Sequence, residues 1–134
     1  MQDGSDVRVG TKVKMSRICQ MSEFFILNLK RFVNEPGSRE LKRRDTTLAI
    51  SATEYIKIFD SPILSGPPKI RPYSFCAAIV HVGESPSSGH YYNIVRRGLA
   101  YFIVDDDQVK PLPEDEALAR AGKACVLLFR SDSV

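Results

Sequence analysis

An α+β fold, mostly antiparallel β-sheet with a single short helix, is what the sequence predicts, and three observations carry it. Apolar and aromatic residues recur at strand period in 23–32, 73–82, 91–96, 99–104 and 124–130. Runs rich in glycine, proline, serine and asparagine separate them. One stretch alone, 113–121, has both ends of a helix written into it.

In the first run, Phe25, Leu27 and Leu29 alternate with Phe24, Ile26 and Asn28, so both faces carry apolar side chains and a buried strand is expected. It stops at Asn34-Glu35-Pro36-Gly37, and a basic connector then leads to a weaker strand candidate around Thr46 to Ile50. From Ser61 to Pro72 the prolines and the glycine argue for a loop. Tyr73 to Val82 is β-branched and aromatic. It gives way to Gly83-Glu84-Ser85-Pro86-Ser87-Ser88-Gly89, a small, polar segment suited to mobility that leads directly into His90. The helix candidate has Pro113 at its start, Glu114, Asp115 and Glu116 in its first turn, and Gly122 and Lys123 past its end.

With 134 residues, 43% hydrophobic and 26% charged, the chain has the composition of one globular domain and not of a disordered segment. No apolar run approaches the roughly twenty residues that cross a bilayer, and Met1-Gln2-Asp3-Gly4-Ser5-Asp6 is unlike a signal peptide, so no membrane partner is expected. Cys19, Cys76 and Cys125 are odd in number, far apart and never in a Cys-x-x-Cys pair, which argues against a disulfide framework and against zinc. A cytoplasmic or nuclear protein with no metal and no cofactor is the expectation. The basic excess in Lys30-Arg31 and Arg39 to Arg44 allows an RNA-binding module using Tyr91, Tyr92 and Phe102, but short charge runs are usually solvated surface and no nucleic-acid signature is present.

The chemistry gathers between His90 and Asp107. Two strand-like runs, 91–96 and 99–104, flank Arg97-Gly98, and glycine suits a tight hairpin turn. With Arg97 and Gly98 as the loop, Arg96 faces Leu99, and the same register carried outward sets His90 opposite Asp105. Directly opposed residues point to one face with Cβ atoms about 5 Å apart, so an imidazole and a carboxylate would meet. A slip of one residue would bring up Asp106 instead. A carboxylate on one ring nitrogen fixes the tautomer and leaves the other nitrogen free to deprotonate a nucleophile. His81, inside an apolar strand, reads as a core histidine or one that supports the site from behind.

These residues carry a resemblance. Ile79-Val80-His81-Val82-Gly83 through Ser88-Gly89-His90-Tyr91-Tyr92 is similar to the histidine box of ubiquitin-specific proteases, cysteine proteases of the papain-like group (peptidase C19). Asp105-Asp106-Asp107-Gln108-Val109 follows at nearly the family spacing, on a slightly shorter hairpin. Val126-Leu127-Leu128-Phe129 resembles the family's last strand, and Phe25-Ile26-Leu27-Asn28-Leu29-Lys30-Arg31-Phe32 the strand before the histidine box. The likeness runs from about 24 to 130 and implies that residues 1–134 form a single, incomplete catalytic domain, the histidine-box half of such a protease.

By that likeness the chain acts in deubiquitination, the thiol-dependent hydrolysis of (iso)peptide bonds after the C-terminal glycine of ubiquitin, with ubiquitin or ubiquitinated proteins as partners. His90 is the general base, Asp105 its orienting acid and Asp106 a second acid. The loop residues Gly83, Glu84, Ser85, Ser87, Ser88 and Gly89, with Tyr91, contact the ubiquitin tail. The family's cysteine box, an amide residue shortly before a cysteine at a helix start, has no counterpart here. Cys19 precedes a strand and lacks the setting that makes thiolate, and Cys76 and Cys125 read as packing residues. A separate segment or chain is therefore expected to bring the nucleophile. A catalytically inactive ubiquitin-binding or scaffold module is the alternative reading.

Overall fold

The computed structural model describes residues 10–61 and 66–132, so Met1 to Asp6 and part of the expected loop from Ser61 to Pro72 lie outside the described residues. Nine strands and one helix follow in order: β1 Phe24–Asn28, β2 Phe32–Asn34, β3 Leu41–Arg43, β4 Thr53–Ile58, β5 Lys69–Val82, β6 His90–Arg97, β7 Ala100–Asp105, β8 Gln108–Leu112, α1 Glu114–Ala121 and β9 Val126–Ser131. All seven described pairings are antiparallel. The expected fold class is the observed one: a seven-stranded sheet in the order β1-β9-β5-β6-β7-β8, with β4 also on β5, a separate β2-β3 hairpin, and one helix.

β5 organises the sheet because it is fourteen residues long. Its first half pairs with β4 through Ile58↔Lys69 to Thr53↔Ser74, its last part pairs with β6 through Ala77↔Val95 to Val82↔His90, and β9 runs along it from Tyr73↔Ser131 to Ile79↔Val126. A β-bulge interrupts the last ladder: Phe75 pairs with Phe129 and Ala77 with Leu128, leaving Cys76 as the extra residue. The buried positions accordingly change from Tyr73 and Phe75 to Ala78 and Val80. The core lies between the sheet and α1, where Ala117 and Ala121 are fully buried with Ile94, Tyr101, Leu127 and Phe129. The Tyr73 hydroxyl, carried into that core, donates to the Ser22 carbonyl at 2.6 Å.

Four expectations need correction. The first run breaks at residues 29–31 into β1 and β2, and β1 is an edge strand buried on one face only, leaving Ile26 66% exposed. Thr46 to Ile50 is no strand, because its backbone is claimed by the end of the helix: the Leu48 amide donates to the Gly122 carbonyl at 2.8 Å. The loop ends at Gly66 to Pro68, and Pro72 sits inside β5 opposite Tyr55. Finally, β6 pairs with β7 as Arg97↔Ala100, Arg96↔Tyr101 and on to Asn93↔Val104, so the turn residues are Gly98 and Leu99, not Arg97 and Gly98. Gly98 takes φ +61, as the first central residue of a type II′ turn requires, and Leu99 projects into solvent.

The buried Arg31 guanidinium follows the end of β1 and donates to three carbonyls, those of Ala124 and Gly122 at 3.0 Å each and that of Thr46. It ties the β1-β2 connection to the chain between α1 and β9. Such a fork suits arginine, whose planar head offers several donors in fixed directions.

Candidate active site

Moving the turn by one residue changes the β6-β7 register by two, which preserves the side-chain alternation. Continued past Asn93↔Val104, the observed register sets Asp105 beside Tyr92, so His90 meets Asp105 on the diagonal and not in direct opposition. Both still occupy the face that carries Ile94 and Ile103, and diagonal neighbours lie within reach of long side chains. His90 Nε2 stands 2.5 Å from Asp105 Oδ1. The pair sits at the sheet's end with both side chains about half exposed, 48% and 45%.

The carboxylate accepts from Nε2, which leaves Nδ1 of His90 unengaged among the described residues. The hydrogen bond to Asp105, the charge of Asp105 and the more distant charge of Asp106 together raise the His90 pKa above its ordinary value of 6.5. An imidazole that takes up a proton readily and is held by a carboxylate on one side is suited to general-base chemistry on the other.

Asp106 and Asp107 form the two-residue turn between β7 and β8, flanked by the Asp105↔Gln108 pair, with Asp106 at φ +51. Aspartate tolerates this left-handed conformation because its short side chain can bond locally. His90, Asp105 and Asp106 offer three ligand atoms within 4.8 Å of one another. The imidazole and one carboxylate already spend facing atoms on each other, and so the donor set is a poor cage for a cation.

The loop from Gly83 to Gly89 joins β5 to β6 and carries bonds of its own. Ser85 and Ser87 share a hydroxyl contact at 2.9 Å, and the Ser87 and Ser88 amides donate to the Ser85 hydroxyl and carbonyl at 3.3 Å each. Glu84, Ser87, Ser88 and Gly89 are exposed, while Gly83 and Ser85 are partly covered. Tyr91, 54% exposed, follows on the face opposite His90, with its ring 4.6 Å from that of His81.

Tyr91, Tyr92 and Phe102 do not make one stacking platform. Tyr92 shares the His90 face, under the Arg120 guanidinium at 5.9 Å, whereas Tyr91 and Phe102 belong to the other. No thiol hydrogen-bonds to His90 among the described residues. Cys19 lies with Met21, Ile58, Lys69 and Ile70 around a cavity at the start of β5, whereas His90 pairs with Val82 at the far end of that fourteen-residue strand. Burial pushes the Cys76 thiol up, and the Cys125 thiol donates to the Ile79 carbonyl at 3.3 Å.

Sequence reading missed one supporting residue, Arg43, read only as part of a basic connector. Its guanidinium donates to the Gly83 carbonyl and, at 2.8 Å, to the His81 carbonyl, fixing the root of the loop. No local pattern marks such a contact, because it spans some forty residues.

No protein-family model matches the chain. Among curated proteins it is similar to ubiquitin carboxyl-terminal hydrolase 46 of Caenorhabditis elegans, 29% identical over 100 residues, which are 74% of this chain and 22% of that protein. Among solved structures it is similar to the SAGA Ubp8/Sgf11/Sus1/Sgf73 DUB module bound to ubiquitin aldehyde, with TM-score 0.75, 22% identity, and coverage of 88% of this chain and 26% of that one. A SAGA DUB module bound to monoubiquitin gives TM-score 0.74 and 19% identity over 88% of this chain and 25% of the other. The structural likenesses establish the fold. The chain spans about a quarter of the length of the proteins it matches.

Proposed function

We propose that this chain, a C-terminal portion of a ubiquitin-specific protease, contributes the base and the orienting acid to a thiol-dependent deubiquitinase site whose cysteine comes from another segment. The observation that carries the reading is the His90 Nε2 to Asp105 Oδ1 contact at 2.5 Å, which leaves Nδ1 unengaged among the described residues.

In this reading residues 1–134 are one incomplete domain. Nδ1 of His90 takes the proton of an incoming thiol, and the thiolate attacks the carbonyl carbon of ubiquitin's last glycine. The imidazolium, held by Asp105, then protonates the leaving lysine amine as the C–N bond breaks. Water, deprotonated by the same imidazole, hydrolyses the thioester. Asp106 adds negative charge beside the imidazolium. The backbone of Gly83, Glu84, Ser85, Ser87, Ser88 and Gly89, with the Tyr91 ring, borders the ubiquitin tail, whose two terminal glycines suit a narrow passage.

The test is a ubiquitin probe with a C-terminal electrophile. The 134-residue chain alone is expected to remain unlabelled. Joined to a segment bearing a cysteine box, it is expected to support labelling at that cysteine, reduced at least about a hundredfold in His90→Ala, the scale of a lost general base. Labelling of Cys19, Cys76 or Cys125 in the chain alone overturns the division of labour. Ubiquitin binding with no labelling in the joined form instead selects the inactive ubiquitin-binding module.

A further inference from the structure

We propose that His81 is a positioning residue for the His90–Asp105 pair, acting through the backbone of Ser88 and Gly89. Its consequence for catalysis rests on the function proposed above, whereas the geometry stands by itself.

His81 is 4% exposed, with its ring between Tyr91 at 4.6 Å and the edge of Phe32 at 5.7 Å. Its Nε2 stands 2.9 Å from the Ser88 carbonyl oxygen, an acceptor, so Nε2 bears the hydrogen and donates. Among the described residues Nδ1 is left as a buried acceptor with no partner. An unpaired buried acceptor is destabilising, and a phenyl ring would fill the same place without that cost. An imidazole here is explained by the one bond that it makes.

That bond acts at the neck of the loop. A Cβ at Gly83 would meet the Ser88 oxygen at 2.9 Å, the Gly89 Cα at 3.0 Å and His81 Cε1 at 3.3 Å. A Cβ at Gly89 would strike the Val82 carbonyl and approach His81 Nε2 at 2.9 Å. The two glycines, at φ +146 and +114, therefore close on each other against the His81 ring. From the other side Arg43 binds the Gly83 and His81 carbonyls, which fastens the neck to β3.

His90 is the next residue after this neck, and its half-exposed ring makes one side-chain hydrogen bond among the described residues, that to Asp105. The direction in which the ring leaves the backbone is therefore set by Gly89, and the peptide before Gly89 is held by His81. Without that hold the Ser88–Gly89 peptide is free to rotate, and the diagonal reach from His90 to Asp105 lengthens.

The experiment is histidine side-chain NMR on the full 134-residue chain and its His81→Phe and His81→Gln variants. Phenylalanine keeps ring and packing but removes the donor, and glutamine retains an N–H. The groups that face His90 are Asp105 at the end of β7 and Asp106 in the turn. In the parent chain His90 is expected to titrate above 6.5, and Asp105→Asn to remove most of the elevation. His81→Phe is expected to bring the His90 midpoint down toward that of the Asp105→Asn variant, with the melting temperature moved little, and His81→Gln to restore most of it. If the phenyl ring prevents folding, His81→Leu takes its place in the comparison.

An elevation that depends on Asp105 but is identical in the donor-free variant overturns this inference and leaves the proposed function standing. No dependence of His90 on Asp105 in the parent chain overturns both.

Discussion

At the scale of single residues, the His90–Asp105 contact makes stability depend on pH in a definite direction. Because the folded-state pKa of His90 is raised, first by the hydrogen bond to Asp105 and then by its charge, the pair stabilises the fold fully below the unfolded value near 6.5. The contribution disappears as pH rises through the folded value. Thermal unfolding of the parent chain and of Asp105→Asn should therefore differ most in mildly acidic buffer and converge in alkaline buffer, and a difference that grows with pH would contradict the assignment. Gly89 offers a sharper test. At φ +114, with the Val82 carbonyl where a methyl group would go, Gly89→Ala should cost about 2 kcal/mol or more and uncouple His90 from Asp105, as read by denaturant unfolding and by the His90 titration.

At the scale of elements, the sequence states the type of each strongly patterned segment but not its partners. Glu114, Asp115 and Glu116 after Pro113 mark the start of α1, and the observed helix begins there. The alternation in 73–82 marks β5, but counting by twos from Tyr73 would put His81 on the core face. The extra residue at Cys76 reverses the phase, and no local signal announces a bulge. The hairpin register was wrong by two and yet brought the same side chains together, because faces depend on parity alone. Thr46 to Ile50 was misread because its bonding partner, Gly122, lies more than seventy residues away. β4 was missed, although the alternation in Tyr55-Ile56-Lys57-Ile58, whose isoleucines point inward, carried a signal for it. The Arg31 fork belongs at this scale too. Arg31→Lys keeps the charge but cannot reach three carbonyls at once, so unfolding free energy should fall by roughly 2–4 kcal/mol, measured by urea titration.

For the whole molecule, the sheet's two ends differ in protection. β8, at one edge, carries Lys110 and Pro111, the charge and the missing amide that discourage pairing with another chain. β1, at the other, presents Phe24 and Ile26 to solvent, 49% and 66% exposed, with no proline and no charge between Phe24 and Asn28. An apolar edge of that kind is an association site. Sedimentation of the 134-residue chain should show concentration-dependent oligomers, and Ile26→Lys should shift them toward monomer without altering the fold. A chain that is monomeric at all concentrations would refute this.

The bulge in β5 means that the central strand carries one spare amino acid. Deleting Cys76 would merge the two halves into an even ladder and leave every later side chain pointing as before. Deleting Ile79 would instead reverse the phase of the residues that follow it, turning His81 round to the helix side and unfastening the loop. The strand thus tolerates shortening at one position and forbids it three residues later, an asymmetry that follows from counting alone.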